Sequence, residues 1–313
     1  MSDFEEKELR ERAESGDVEA QTKLGVILKD EGKNDEAMKY FRLAADKGVS
    51  AAQCNLCLML LEAGDFDECE KYCRLAAKGG DHWAEVAARV LPQLQTEKEL
   101  LKKAESGDVE AQYDIGCTFE QFHNLGLAEK YWRMAADAGH VKAQCKLALL
   151  FENAERYDEA FKYWKTAADA GEVNAQMWLG MVFYNTGRTN EAEKYFRAAA
   201  ETGEPKAKWE LASLLYRTER SGEGEKYLRE AADAGYVDAQ FDLGAELYEE
   251  NKLGEAEKYL RLAADAGHVN AQFDLGIILN NSKRFDEAKK YFRMAAKAGD
   301  KEARKMLKNL FGE

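Results

Sequence analysis

Glycine returns every 32 residues along most of this chain, at Gly107, Gly139, Gly171, Gly203, Gly235, Gly267 and Gly299. A step held through six successive intervals means that one small unit has been copied. A fixed period of this length is the mark of a solenoid, in which each unit buries its apolar face only against its neighbours. Such a stack offers a long surface and guarantees no deep pocket. The periodicity therefore points to a binding protein and leaves its partner unnamed.

Counted from the second residue after each glycine, eight full repeats begin at Val18, Ser50, Val109, Val141, Val173, Pro205, Val237 and Val269. Position 7 is always aliphatic (Leu24, Leu56, Ile115, Leu147, Leu179, Leu211, Leu243, Leu275), and positions 3, 10 and 11 are mostly apolar, which gives a first helix, A, one buried stripe. Positions 20, 23, 24, 27 and 28, as in Ala192, Tyr195, Phe196, Ala199 and Ala200, form the stripe of a second helix, B. Gly or Asn at position 15 (Gly32, Gly64, Gly187, Asn251) suits the left-handed residue that closes A, and Asp or Asn at position 18 (Asp35, Asp67, Asp158, Asn190, Asp286) is expected to cap B. Small residues are expected to meet where the pair crosses: Gly25 with Ala37, Gly116 with Ala128, Gly180 with Ala192, Gly244 with Ala256, Gly276 with Ala288. On helix B, Glu precedes Arg by four, as in Glu70/Arg74, Glu129/Arg133, Glu193/Arg197 and Glu257/Arg261, an order worth roughly 0.2–0.5 kcal/mol a pair on a solvated face.

One interval breaks the rule. Gly80 to Gly107 is 27 residues, and Pro92 falls where helix A should end, so five residues are missing from the A-to-B turn and a kink or irregular repeat is expected. The organisation read from this is a single array over 1–313: an N-terminal capping helix (1–17), two repeats (18–81), a shortened repeat (82–108), six repeats (109–300) and a C-terminal capping helix (301–313). Polar outer faces at both ends suit caps, which a solenoid needs. Two arrays, 1–92 and 93–313, joined flexibly are the alternative.

Charged residues make up 33% and hydrophobic ones 45%, with two prolines, a balance that suits amphipathic helices. A formal charge of −14 opposes nucleic-acid or anionic-membrane binding, which needs clustered Lys and Arg, and fits a basic partner better. The start Met1-Ser2-Asp3-Phe4-Glu5-Glu6 has neither the charge nor the apolar run of a signal peptide, and no apolar stretch approaches the ~20 residues of a membrane span. A cytoplasmic location is expected, where thiols stay reduced.

The pattern Ala-Gln-x-x-Leu-Gly followed by Glu-Ala-x-Lys-Tyr-Phe-Arg-x-Ala-Ala-x-x-Gly resembles the Sel-one-like repeat, a relative of the tetratricopeptide repeat, over nearly the whole chain. The resemblance implies an all-α, right-handed superhelical α/α solenoid acting as an adaptor or scaffold, with ligands on a concave face lined by helix A. Two features depart from the pattern: the short 32-residue unit, and Gln in place of the large aromatic of tetratricopeptide position 4.

Positions 2, 5, 9 and 12 line the groove in the related families. Position 5 here runs Tyr113, Cys145, Met177, Trp209, Phe241 and Phe273, and position 12 adds Tyr184, Tyr216 and Tyr248. Aromatic anchors of this kind dominate binding energy. Asn174, Asn270, Asn280, Asn281, Asp242 and Asp274 are polar neighbours able to hold a peptide backbone or pair with Lys and Arg. The same ladder has a plainer reading, in which position 5 packs against the next A helix.

Cys54, Cys57, Cys69 and Cys73 put two thiols on each helix of one repeat and leave three readings open: zinc, a Cys57–Cys69 disulfide, or buried core thiols. The four histidines lie mainly at junctions or turns, and no catalytic or phosphate-binding motif is present. The reading is a non-catalytic interaction scaffold without cofactor or metal, holding a protein or peptide along helix A. Its alternative is a structural or inhibitory protein, antitoxin- or immunity-like, that docks a basic partner through its acidic surface. Oligomeric state is left open.

Overall fold

The computed structural model describes residues 3–312; Met1, Ser2 and Glu313, the outermost residues of the two expected caps, lie outside the described residues. Nineteen helices and no strand occur among the described residues, packed consecutively as an all-α solenoid. Two compact halves divide within one helix, the first ending at Tyr163 and the second beginning at Trp164. The first half runs α1 (Asp3–Glu14), α2 (Val18–Asp30), α3 (Asn34–Ala45), α4 (Ser50–Ala63), α5 (Phe66–Ala76), α6 (His82–Glu105), α7 (Val109–Gln121), α8 (Leu125–Asp137), α9 (Val141–Asn153) and the start of α10 (Tyr157–Asp169). The second runs through α11 (Val173–Asn185), α12 (Thr189–Glu201), α13 (Pro205–Arg217), α14 (Ser221–Asp233), α15 (Val237–Glu249), α16 (Leu253–Asp265), α17 (Val269–Asn281), α18 (Phe285–Lys297) and α19 (Lys301–Phe311).

Each A–B pair is held by the apolar stripes that the sequence lays down. Position 7 is fully buried in Leu24, Leu147, Leu179 and Leu275, as are the B-helix alanines Ala37, Ala192 and Ala288. The close crossing differs from expectation in its partner. A Cβ on Gly116 would lie 2.4 Å from the Trp132 ring, and one on Gly180 2.5 Å from Phe196. The position-8 glycine therefore makes a notch for the ring at position 24, and the alanine at position 20 is not its nearest neighbour. In the repeat beginning at Ser50 this exchange runs the other way, with Cys57 at position 8 and Cys73 in the place of the ring.

The turns correct the expected caps. Helix B starts at position 17, so the capping residue is at position 16, where Asp65 and Asn124 cap with their side chains, to the amides of Glu68 and Leu127, while Lys33, Arg188, Arg220, Lys252 and Arg284 make no side-chain cap. Asp35, Asp67, Asp158 and Asp286 sit instead in the first turn, where a carboxylate favours the helix dipole. The left-handed residue at position 15 is present as expected at Gly32, Gly64, Gly187 and Asn251. It is equally present at His123, Glu155, Glu219 and Lys283, with φ of 57–60°. There the turn imposes a conformation that the residue itself disfavours.

Where the shortened repeat was expected, α6 runs for 24 residues without a turn and carries Pro92 inside it. Removal of the turn fuses A and B into one rod. The flanking repeats then touch at their turn ends: Phe66 on α5 stacks on Phe119 of α7 at 5.9 Å, and the Asn124 side chain donates to the Glu62 carbonyl at 2.8 Å.

Candidate functional site

The residue before each A helix organises the face that the helix presents. Position 32 supplies an acceptor to the first turn through Asp108, His140, Glu172, His268 and Asp300. The two histidines do a second job. Nδ1 of His140 accepts from the Ala143 amide at 3.1 Å, which leaves Nε2 facing Glu110 at 3.1 Å, while the ring stacks on Tyr113 at 4.6 Å. His268 caps at the Ala271 amide in the same way and stacks on Phe241 at 4.4 Å. The position-5 rings are thus propped by the cap of the next repeat. The histidines were legible as a repeated position, and their place directly before an A helix was the signal for a cap.

In the second half the expected residues lie along successive A helices. Met177, Tyr184, Trp209, Tyr216, Phe241, Asp242, Phe273 and Asp274 are half-buried, Asn270 is exposed, and Tyr248 is 40% exposed. Several meet directly. The Trp209 indole N–H donates to Asp242 at 2.7 Å and its ring lies 5.6 Å from Tyr236. Tyr216 donates its hydroxyl to Glu246 at 2.8 Å, Tyr184 is hydrogen-bonded by Arg217, whose guanidinium also covers its ring, and Phe273 tilts against Phe292 at 5.8 Å. Tyr113 lies in the first half, half-buried against His140. Each ring therefore has one side packed on its neighbours and keeps part of its surface open.

An acid follows each of Trp209, Phe241 and Phe273 in sequence. Burial pushes the carboxyls of Glu210, Asp242 and Asp274 above their ordinary values, opposed at Asp242 by the Trp209 hydrogen bond. The face can therefore accept donors or cations from a ligand, at acids that water solvates poorly.

Comparison with known proteins agrees with the fold. The tetratricopeptide repeat model matches residues 145–207 and 241–303, a second model of that repeat matches 18–46, and the Sel1 repeat model matches 50–81, 109–140 and 221–236. The chain is a protein of Sel1-like and tetratricopeptide repeats. Two solved structures share the fold. One is c5321, a protective antigen of uropathogenic Escherichia coli strains displaying an SLR fold, at 22% identity, TM-score 0.56, over 96% of this chain and 73% of that one. The other is a Sel1 repeat protein from Oxalobacter formigenes, at 24% identity, TM-score 0.54, over 99% and 92%. No curated protein sequence matches significantly.

The departures of this Sel1-like array have structural jobs. Gln at position 4 is buried, and its amide donates to the carbonyl eight residues earlier, as from Gln112 to Ala104 at 3.0 Å and from Gln272 to Ala264 at 3.1 Å. It ties helix A to the end of the preceding B. The B-helix charges also do more than pair within a helix. Arg133 and Arg156 both bind Glu129 and Glu159, closing a four-membered ring across two repeats. Arg197 and Arg220 close the same ring with Glu193 and Glu223, as do Arg261 and Arg284 with Glu257 and Glu287. The i,i+4 spacing concealed these inter-repeat links.

The cysteine group of the Sel1-like repeat at Ser50 is buried, with Cys57 Sγ 2.7 Å from Cys69 and 3.2 Å from Cys73. Its hydrogen bond with Cys69 and burial hold the Cys57 thiol up, and burial pushes Cys54 to about 11. The Cys54 and Cys57 thiols are accordingly neutral and poor nucleophiles. Among the described residues no His, Cys, Asp or Glu group is arranged to hold a metal ion, and no helix is long and apolar enough to cross a membrane.

Proposed function

We propose that the protein is a non-catalytic, cytoplasmic scaffold that holds a protein or peptide segment, with basic character, along the A helices of its second half. The observation that carries this reading is the row Trp209, Phe241 and Phe273. Trp209 and Phe241 are fixed by the residue that precedes the next A helix and Phe273 by Phe292 of its own repeat, yet none is fully buried. Rigid, partly open aromatic anchors lose little entropy on binding, which is what a recognition surface requires. The acids next to them in sequence favour a partner with Lys or Arg, and the six free thiols suit a reducing compartment.

The alternative, docking of a basic partner on the acidic B-helix face, has less behind it. The glutamates at positions 19 and 21 of six B helices are already engaged by arginines of their own or neighbouring repeats. A comparison of wild type with Trp209→Ala/Phe241→Ala in affinity capture, with folding checked by circular dichroism, separates the two. Loss of the captured protein from the folded double variant supports the A-helix reading. Its undiminished recovery overturns that reading, and steep loss in high salt then favours the B face.

A further inference from the structure

Position 6 carries an acid in three consecutive A helices, Glu210 on α13, Asp242 on α15 and Asp274 on α17. The last two meet different neighbours in the preceding A helix. Asp242 is closed off, because position 5 of α13 is Trp209 and its N–H reaches the carboxylate at 2.7 Å. At the next junction the corresponding residue is Phe241, which has no donor and stacks on His268. No hydrogen bond or ion pair reaches the Asp274 carboxylate among the described residues, although burial holds its carboxyl above the usual range. A poorly hydrated acid without a donor is destabilising until one arrives.

Asp274 lines a cavity of about 180 Å³ together with Ala245, Tyr248 and Glu249 of α15, Leu260 of α16, and Ile277 and Ile278 of α17. The cavity shares Tyr248, Glu249 and Ile278 with an outer hollow of about 480 Å³ that runs past Asn281 and Ser282. Tyr248, which lines both hollows, is partly exposed. The lining thus combines aliphatic side chains with two acids, Asp274 and Glu249. Such a lining matches a methylene stem carrying a compact positive charge.

Resting on the reading of the A helices as the partner surface, we propose that this cleft is a specificity pocket for a lysine side chain of the bound segment. The ammonium pairs with Asp274, the stem lies on Ile277 and Ile278, and Tyr248 covers it.

The test uses the full chain labelled at isoleucine methyl groups, titrated with Nα-acetyl-lysine N-methylamide, and with its norleucine analogue as the uncharged control. Saturable shifts at Ile277 and Ile278, at roughly millimolar probe, are expected for the lysine compound, with much weaker ones for norleucine. Asp274→Asn, which removes only a charge, should weaken the lysine probe about tenfold or more and leave distant methyl groups unmoved, while Tyr248→Ala should weaken both probes. Equal response to norleucine, no response to lysine, or an Asp274→Asn variant that binds lysine as before would overturn the pocket. Any of these leaves the Trp209/Phe241 capture result standing, so the two proposals fail separately.

Discussion

At the residue scale the repeat is governed by complementary volumes. The notch at position 8 and the ring at position 24 form one packing unit, seen as Gly25 with Phe41, Gly116 with Trp132, Gly180 with Phe196 and Gly276 with Phe292. Cys57 with Cys73 is the same unit with its volume redistributed, larger at the notch and smaller at the ring. The sequence showed both positions as periodic but not that they touch. Their facing across the pair depends on the crossing geometry, which no spacing along the chain encodes. Gly180→Leu should therefore destabilise the protein by about 1–3 kcal/mol through overpacking. Phe196→Ala should do so through a cavity. Combined, the two changes should recover at least about 1 kcal/mol relative to their sum, measured by urea unfolding. Simple additivity would sink the notch-and-ring account.

At the element scale the regular helix pairs were legible and α6 was not fully so. Both halves of the shortened repeat keep their amphipathic spacing, and what was lost is a turn, whose absence leaves no residue to read. The sequence marked the place through the 27-residue interval and Pro92, while the outcome, one rod in place of a kinked pair, rested on contacts beyond the repeat. Ala87 and Leu94 are equally buried on that rod, one on each side of the proline, which holds the two segments in a common helix. Pro92 has no N–H for the carbonyl of Ala88, so its helical hydrogen bond is missing in the middle of α6. Pro92→Ala should raise stability by about 1–3 kcal/mol, less the entropy that proline removes from the unfolded chain. Thermal unfolding checks this. A lowered Tm would mean that the proline is needed to aim the rod.

At the scale of the whole molecule, two sets of carboxylates pull stability in opposite directions with pH. Hydrogen bonds from Arg156 and Arg133 hold Glu159 at about 2, below its ordinary 4.5. Arg197 and Arg220 lower Glu223, Arg284 and Arg261 lower Glu287, and the same arginine pairs lower Glu193 and Glu257 against the opposing effect of burial. Groups depressed in the folded state contribute stability above their unfolded value and lose it as pH falls through the folded one, which opens a window from about 4.5 down to about 2. Glu210, Asp242 and Asp274 are shifted the other way by burial. Their cost is present at neutral pH and disappears as pH falls through their raised values. Tm should therefore climb slightly as pH falls from neutral through the raised values of the buried acids, then drop steeply below about 4.5. Asp274→Asn should flatten the climb, and Glu159→Gln should shrink the drop. Raising salt to about 0.5 M at neutral pH should lower Tm through the arginine rings, and the effect should fade once their carboxylates are protonated. A Tm that falls monotonically from neutral pH, unchanged by Asp274→Asn, would show that the buried acids are as well solvated as the paired ones.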